Sequence, residues 1–182
     1  TRELMIKTTR IAAPLLALAA GGACLPAHAA ELGLARIFSD HAVLQRDQPV
    51  AVWGTAGAGR KVAVTLDGQT VNGSADAQGK WRVQLPPRRA GGPYTLSATS
   101  EGRTVSRADI LVGDVYLCSG QSNMEFAQRE STNAMGATYS AANDKLRFLN
   151  VEKNSAATAQ DDLPGPVEWK VAAPDTIGGA SA

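Results

Sequence analysis

From Glu31 to Asp109 the chain is a succession of short apolar runs punctuated by turn dipeptides. Residues 50–53 and 61–66 alternate or run apolar with β-branched side chains, and 80–85, 94–98 and 103–106 follow in the same manner. Asp67-Gly68, Asn72-Gly73, Gln78-Gly79 and Glu101-Gly102 supply turn signals, and Pro86-Pro87 breaks the chain after one of the runs. A glycine behind a polar residue lets the backbone enter the left-handed region that a tight hairpin needs. No helical period of useful length runs through this stretch. Short strands with a turn about every ten residues predict a β-sandwich. Trp53 and Trp81 lie within the runs. They read as core anchors in preference to exposed platforms that stack on sugar rings.

At about Ile110 the grammar changes. An apolar run over 110–118 predicts a buried strand, residues 122 to about 142 a helix, and 146–151 a second strand. Glu125 to Glu130 favours the helix; Ser131-Thr132-Asn133 and Gly136 weaken it. Strand, helix, strand is the order of an α/β domain with a parallel sheet. Residues 154–166 are polar and proline-bearing, a surface loop. The fold class expected is β followed by α/β. Residues 1–30 form a signal peptide, 31–109 a β-sandwich, and 110–182 the truncated start of an α/β domain.

Composition narrows the function classes. The 182 residues are 44% hydrophobic and 19% charged, an ordinary soluble balance with room for one complete small domain but not two. The net charge is +1 and no basic stripe appears, which argues against nucleic acid as a partner. Met5 reads as the initiator. Lys7 and Arg10 precede an apolar stretch over 11–23, and Ala27-His28-Ala29 gives a small-x-small cleavage pattern. That is the layout of a secretory signal, cleaved after Ala29 or Ala30, and it predicts a secreted or periplasmic protein with no membrane anchor afterwards. A lipoprotein signal on Cys24 is the rival, but Gly21 stands where its usual leucine would be. Removing residues 1–30 leaves fifteen basic and sixteen acidic side chains and a single cysteine, Cys118. No intrachain disulfide is then available. Cys118, closing an apolar run, reads as a small buried hydrophobe.

The chemistry concentrates in GDVYLCSGQSNMEF, from Gly113 to Phe126. A serine at a tight turn between a strand and a helix start, near free backbone N–H groups, suits a nucleophile whose transition state becomes an oxyanion. Ser122 is the candidate nucleophile. Gly120 permits a tight turn. A serine there also makes a good helix N-cap, which is the bland alternative. The block resembles the nucleophile block of the sialate O-acetylesterase family, among the SGNH-type hydrolases. Residues 37–59, 79–81 and 90–98 resemble that family's N-terminal β-domain in the same order, and 146–151, Trp169 and the terminal GGASA resemble it downstream. The resemblance covers most of residues 34–182. It implies an SGNH-type, flavodoxin-like second domain, hydrolysis of acetyl esters on sugar hydroxyls, and no cofactor. It also implies an oxyanion hole completed from later loops, with Gly120, Gln121 and Asn123 as pocket candidates around Ser122.

A serine needs a base. SGNH-type enzymes take it from an Asp-x-x-His near the C-terminus, and no histidine follows His41 in this chain. His41 reads as a polar loop residue. Asp40-His41 cannot readily act as an acid–base pair, since neighbours on a strand point to opposite faces. No clustered metal-ligand spacing appears. The expectation is therefore an incomplete, inactive piece of a serine-dependent carbohydrate O-acetylesterase whose substrate is an O-acetylated sugar or glycan. The alternative is a non-catalytic carbohydrate-binding β-module.

Overall fold

The structure, a computed structural model, describes residues 31–180. In chain order the strands are β1 (Gly33–Leu34), β2 (Val43–Gln45), β3 (Val50–Thr55), β4 (Lys61–Leu66), β5 (Gln69–Ser74), β6 (Lys80–Leu85), β7 (Gly91–Ser100), β8 (Arg103–Gly113), β9 (Asn143–Phe148) and β10 (Lys170–Ala172). One sheet has the order β1-β3-β6 and a second β2-β8-β7-β4-β5. Pairing is antiparallel except that β2 runs parallel to β8, with Val43 opposite Leu111.

The period-two pattern decides what each strand buries. β6 turns Trp81, Val83 and Leu85 inward and leaves Lys80, Arg82 and Gln84 in solvent. β4 buries Val62, Val64 and Leu66, β7 buries Leu96 and Ala98, and β8 buries Ile110 and Val112. Both sheets contribute to one hydrophobic cluster. Trp81 is 2% exposed and its indole N–H donates to the Thr55 carbonyl at 2.8 Å, the partner that burial of an indole requires.

Three of the expected turns form as read, among them Gln78-Gly79, where Gly79 sits at φ 79° and its N–H donates to Asp76 O at 3.0 Å. Asp67 and Gly68 take φ of 49° and 75°, and Glu101 and Gly102 take 49° and 78°, two left-handed residues in each hairpin. Asn72-Gly73 does not turn; it lies inside β5. A Cβ on Gly73 would come within 2.7 Å of Val83 Cγ1, so the glycine serves close approach of β6.

The second region departs from expectation more. β8 runs through the expected boundary at residue 109 to Gly113, so Ile110 and Val112 belong to the core of the two-sheet unit. Residues 114–118 continue the apolar run but form no strand, and Cys118 is exposed, not buried. The single helix expected over 122–142 is three pieces: a 3-10 turn at Ser122–Glu125, another at Gln128–Glu130, and a short α-helix, α1, at Ala134–Tyr139. None of these buries an apolar stripe, and a helix this short holds only through packing. The strand expected at 146–151 begins earlier, as β9, and pairs antiparallel with β10 where a parallel partner was expected. Trp169, just before β10, joins this ladder to the two-sheet unit. It is 9% exposed, sits in the main cluster, and its indole donates to the Ile37 carbonyl at 2.8 Å.

The signal-peptide segment lies outside the described residues. Among the described residues no helix is long and apolar enough to cross a membrane.

Candidate active site

The candidate serine lies beyond the end of β8 at Gly113, across an irregular segment over residues 114–120. The exit is tied to β2: the Arg46 N–H donates to Gly113 O at 2.9 Å, Arg46 Nε to Asp114 Oδ1 at 2.8 Å, and the Val115 N–H to Gln45 Oε1 at 2.8 Å. The Asp114 hydrogen bond, then its charge and that of Asp47, raises the Arg46 guanidinium above its ordinary value. Beyond this anchor the chain runs through solvent, with Tyr116 and Leu117 82% and 91% exposed.

Gly120, Gln121, Ser122 and Asn123 are all exposed. Gln121 caps the 3-10 turn with extended backbone, and its carbonyl accepts the Met124 N–H at 2.8 Å. Ser122 is therefore the first residue inside the turn and not its cap. No hydrogen bond joins its hydroxyl to another described residue. A Cβ on Gly120 would fall 2.5 Å from Met124 Cγ, so the glycine lets Met124 fold back over the turn. The structure thus brings the four candidates onto one exposed turn.

This turn is braced from the C-terminal side. Glu125 pairs with Lys153. The Gln128 N–H donates to Ala180 O at 2.8 Å, Arg129 Nη1 to Gly178 O at 3.3 Å, and Asn150 Nδ2 to Gly179 O at 2.6 Å. A pocket of about 470 Å³ lined by Glu31, Leu32, Arg103, Thr104 and Val105 lies on the two-sheet unit and includes none of the candidates.

His41 is not joined to Ser122 by any hydrogen bond. Its Nδ1 lies 2.6 Å from Asp109 Oδ2, and the same oxygen accepts Arg147 Nη2 at 3.1 Å. Asp40 does something else: its Oδ1 accepts the Ala108 N–H at 2.7 Å. Sequence reasoning missed Asp109 and Arg147. The available signal was an aspartate inside a β-type run, a residue that strands disfavour and that tolerates left-handed backbone.

Trp53, one of the possible sugar platforms, is half-buried. Phe38 packs edge-on at 4.8 Å, Arg82 lies over the ring at 5.5 Å, and the indole N–H donates to Asp161 O at 2.8 Å.

No protein-family model matches the chain. Among curated proteins it is 34% identical to the sialate O-acetylesterase of Rattus norvegicus over 143 residues, covering 72% of this chain and 26% of that protein. It is 32% identical to the sialate O-acetylesterase of Homo sapiens over 160 residues, covering 79% of this chain and 30% of that protein. The chain therefore spans between 26% and 30% of the length of these relatives. Among solved structures, a carbohydrate acetylesterase from Xanthomonas citri superposes with a TM-score of 0.79 at 40% identity, over 82% of this chain and 34% of that one. The chain belongs to a sialate O-acetylesterase-like family.

Proposed function

We infer that the chain carries the nucleophile-bearing part of a secreted carbohydrate O-acetylesterase, with a β-sandwich preceding an SGNH-type hydrolase domain. The observation that carries this reading is the exposed Ser122 turn in a chain 40% identical to a carbohydrate acetylesterase of the same fold over 82% of its length. In the reaction, Ser122 Oγ attacks the acetyl carbonyl as a base takes its proton. The carbonyl oxygen becomes an oxyanion, for which the Ser122 N–H at the start of the turn is a donor, since the first N–H groups of a helical turn have no partner within it. Collapse expels the sugar oxygen, which recovers the proton, and water then releases acetate from the acetyl-serine.

The base does not come from His41 on this reading, because no hydrogen bond joins its ring to Ser122 and its Nδ1 is held on Asp109 of the two-sheet unit. It is supplied by protein outside residues 31–180, as is the rest of the oxyanion hole. Residues 31–180 alone are then expected to release little acetate. The environment of Trp53 counts against the carbohydrate-binding module, because its indole N–H is already engaged and Arg82 lies over its ring.

The test is Ser122→Ala in the full-length protein, with acetate release measured on a panel of acetylated sialic acids and acetylated plant glycans. A loss on the order of a thousandfold is expected. Acetate release at the unsubstituted rate would leave Ser122 a turn residue and sink the reading. Mass spectrometry of exported protein should find a mature start at Ala30 or Glu31; an intact N-terminus in the cytoplasm would contradict export.

A further inference from the structure

β8 carries a bulge. Leu96 of β7 lies opposite Arg107 and Tyr94 lies opposite Ile110, so β8 spends three residues where β7 spends two. The extra residue falls at Ala108-Asp109, and Asp109 sits at φ 52°, in the left-handed region that costs most side chains energy. The loop before β2 takes up the freed backbone groups. The Ala108 N–H donates to Asp40 Oδ1 at 2.7 Å, and Ala108 O accepts the His41 N–H at 3.1 Å. His41 is itself left-handed, at φ 67°. Two left-handed residues, of types that accept this backbone better than most, are therefore joined across the His41–Asp109 contact. Bulges of this kind re-aim a side chain, and here the side chain is the Asp109 carboxylate.

That carboxylate meets Arg147 of β9, whose side chain is 4% exposed. Its other terminal nitrogen donates to Asp144 O, and its Nε has no hydrogen-bond partner. A buried guanidinium needs an anion, and among the described residues Asp109 is the one carboxylate paired with it. His41 Nδ1 meets the same carboxylate oxygen, Asp109 Oδ2, and so helps hold its orientation. β9 leads on to Asn150 and Lys153, which hold Gly179 O and Glu125 respectively, and Glu125 ends the turn that begins at Ser122.

We propose that Asp109 is a positioning residue for acetyl transfer. Held by His41 and the β8 bulge, it clamps Arg147, fixes β9 on the two-sheet unit, and through Lys153–Glu125 sets the Ser122 turn. The proposal rests on Ser122 being the nucleophile.

Asp109→Asn in the full-length protein keeps the shape and removes the charge. Hydrogen exchange of residues 143–148 and 122–130 should accelerate, while residues 61–66 and 80–85 keep their protection. A misplaced nucleophile loses rate more than affinity, so kcat should fall by about tenfold to a hundredfold with little change in KM. Arg147→Lys, which keeps the charge, should retain more activity than Arg147→Met, and His41→Gln, which leaves the Arg147 pair, should cost less than either Asp109→Asn or Arg147→Met. Glu101→Gln, in a surface hairpin turn, is the control. Unchanged exchange at 143–148 in Asp109→Asn overturns the clamp. Faster exchange with unchanged kcat overturns its role in positioning. Loss of protection throughout 61–85 would make Asp109 a folding residue, and equal losses in Arg147→Lys and Arg147→Met would also count against the clamp. Should Ser122→Ala leave acetate release intact, the functional reading fails by itself, and the exchange data still report on the clamp.

Discussion

Residues 31–113 and 114–180 use apolar side chains in opposite ways. In the first, Val52, Val62, Val64, Leu96 and Ile110 are fully buried. In the second, Tyr116, Leu117, Met135 and Tyr139 are each more than 70% exposed, and Val115, Phe126, Leu146 and Val151 are also exposed. Among the described residues, all eight exposed large hydrophobics fall between residues 115 and 151. One region is held by its own core. The other is held to that core by Trp169, by Arg147 on Asp109, and by a strap at residues 161–163, where Asp161, Asp162 and Leu163 meet Lys80, Trp53 and Arg36. Exposed apolar surface can mark interaction or ligand sites, and here Val115, Tyr116, Leu117 and Phe126 flank the candidate nucleophile in sequence. Stability and the proposed chemistry are thus assigned to different stretches of chain.

The sharpest way to break this division is Trp81→Ala, in the shared core. It should cost about 3–5 kcal/mol and unfold both regions together. A chemical denaturation curve read by circular dichroism checks this, and a loss confined to one phase would mean the two regions have separate cores. Trp169→Ala should cost less, about 3 kcal/mol at the edge of the same cluster. It should speed hydrogen exchange in β9 and β10 before β4 or β6, and uniform acceleration would erase the distinction. Leu117→Ser removes an exposed side chain and should move stability by no more than about 0.5 kcal/mol while reducing self-association in size-exclusion chromatography. A large loss of stability there would show that Leu117 is buried in the folded protein.

The smallest effect is expected from the strap. The Lys80 hydrogen bond, then its charge, holds the Asp161 carboxyl below its ordinary value of 3.8, and Asp161 in the same way raises Lys80 above 10.5. A depressed carboxylate contributes stability above its unfolded value and loses it as pH falls through the folded one. A raised lysine contributes below its unfolded value and loses it as pH rises through the folded one. The pair therefore acts between these limits, and being solvent-exposed it is weak and screened by salt. Lys80→Gln should lower Tm slightly at neutral pH and low salt, with the difference vanishing in acid below the folded value of Asp161. A Tm difference that persists there would assign the strap to Trp53 and Arg36 alone.

The β unit was legible because its signals are local. β4 and β6 begin and end where their apolar runs do, and the Asp67-Gly68 and Glu101-Gly102 turns need nothing beyond their own backbone freedom. Asn72-Gly73 misled because the reason for its glycine is Val83 on another strand, a contact that the dipeptide itself does not announce. Residues 122–142 misled for the converse reason. Their helix propensity is real but no face of them is buried, and Ser131-Thr132-Asn133 interrupts them before packing can compensate. The candidate turn itself, Gly120 to Asn123, was legible as a block of residue types. The Asp109–Arg147 pair was not, since a contact between positions 38 apart leaves no periodic trace.

The parallel pairing of β2 with β8 has a kinetic consequence. Val43 finds Leu111 only after the whole of β3 to β7 has been made, and a closure this long must be paid in entropy before its contacts form. The antiparallel pairs β4–β5 and β7–β8 close over two-residue turns and can form early. β2 should therefore dock late, and with it the Arg46 anchor that fixes the departure of the chain toward Ser122. A newly made chain would hold its two hairpins well before its candidate nucleophile has a defined place.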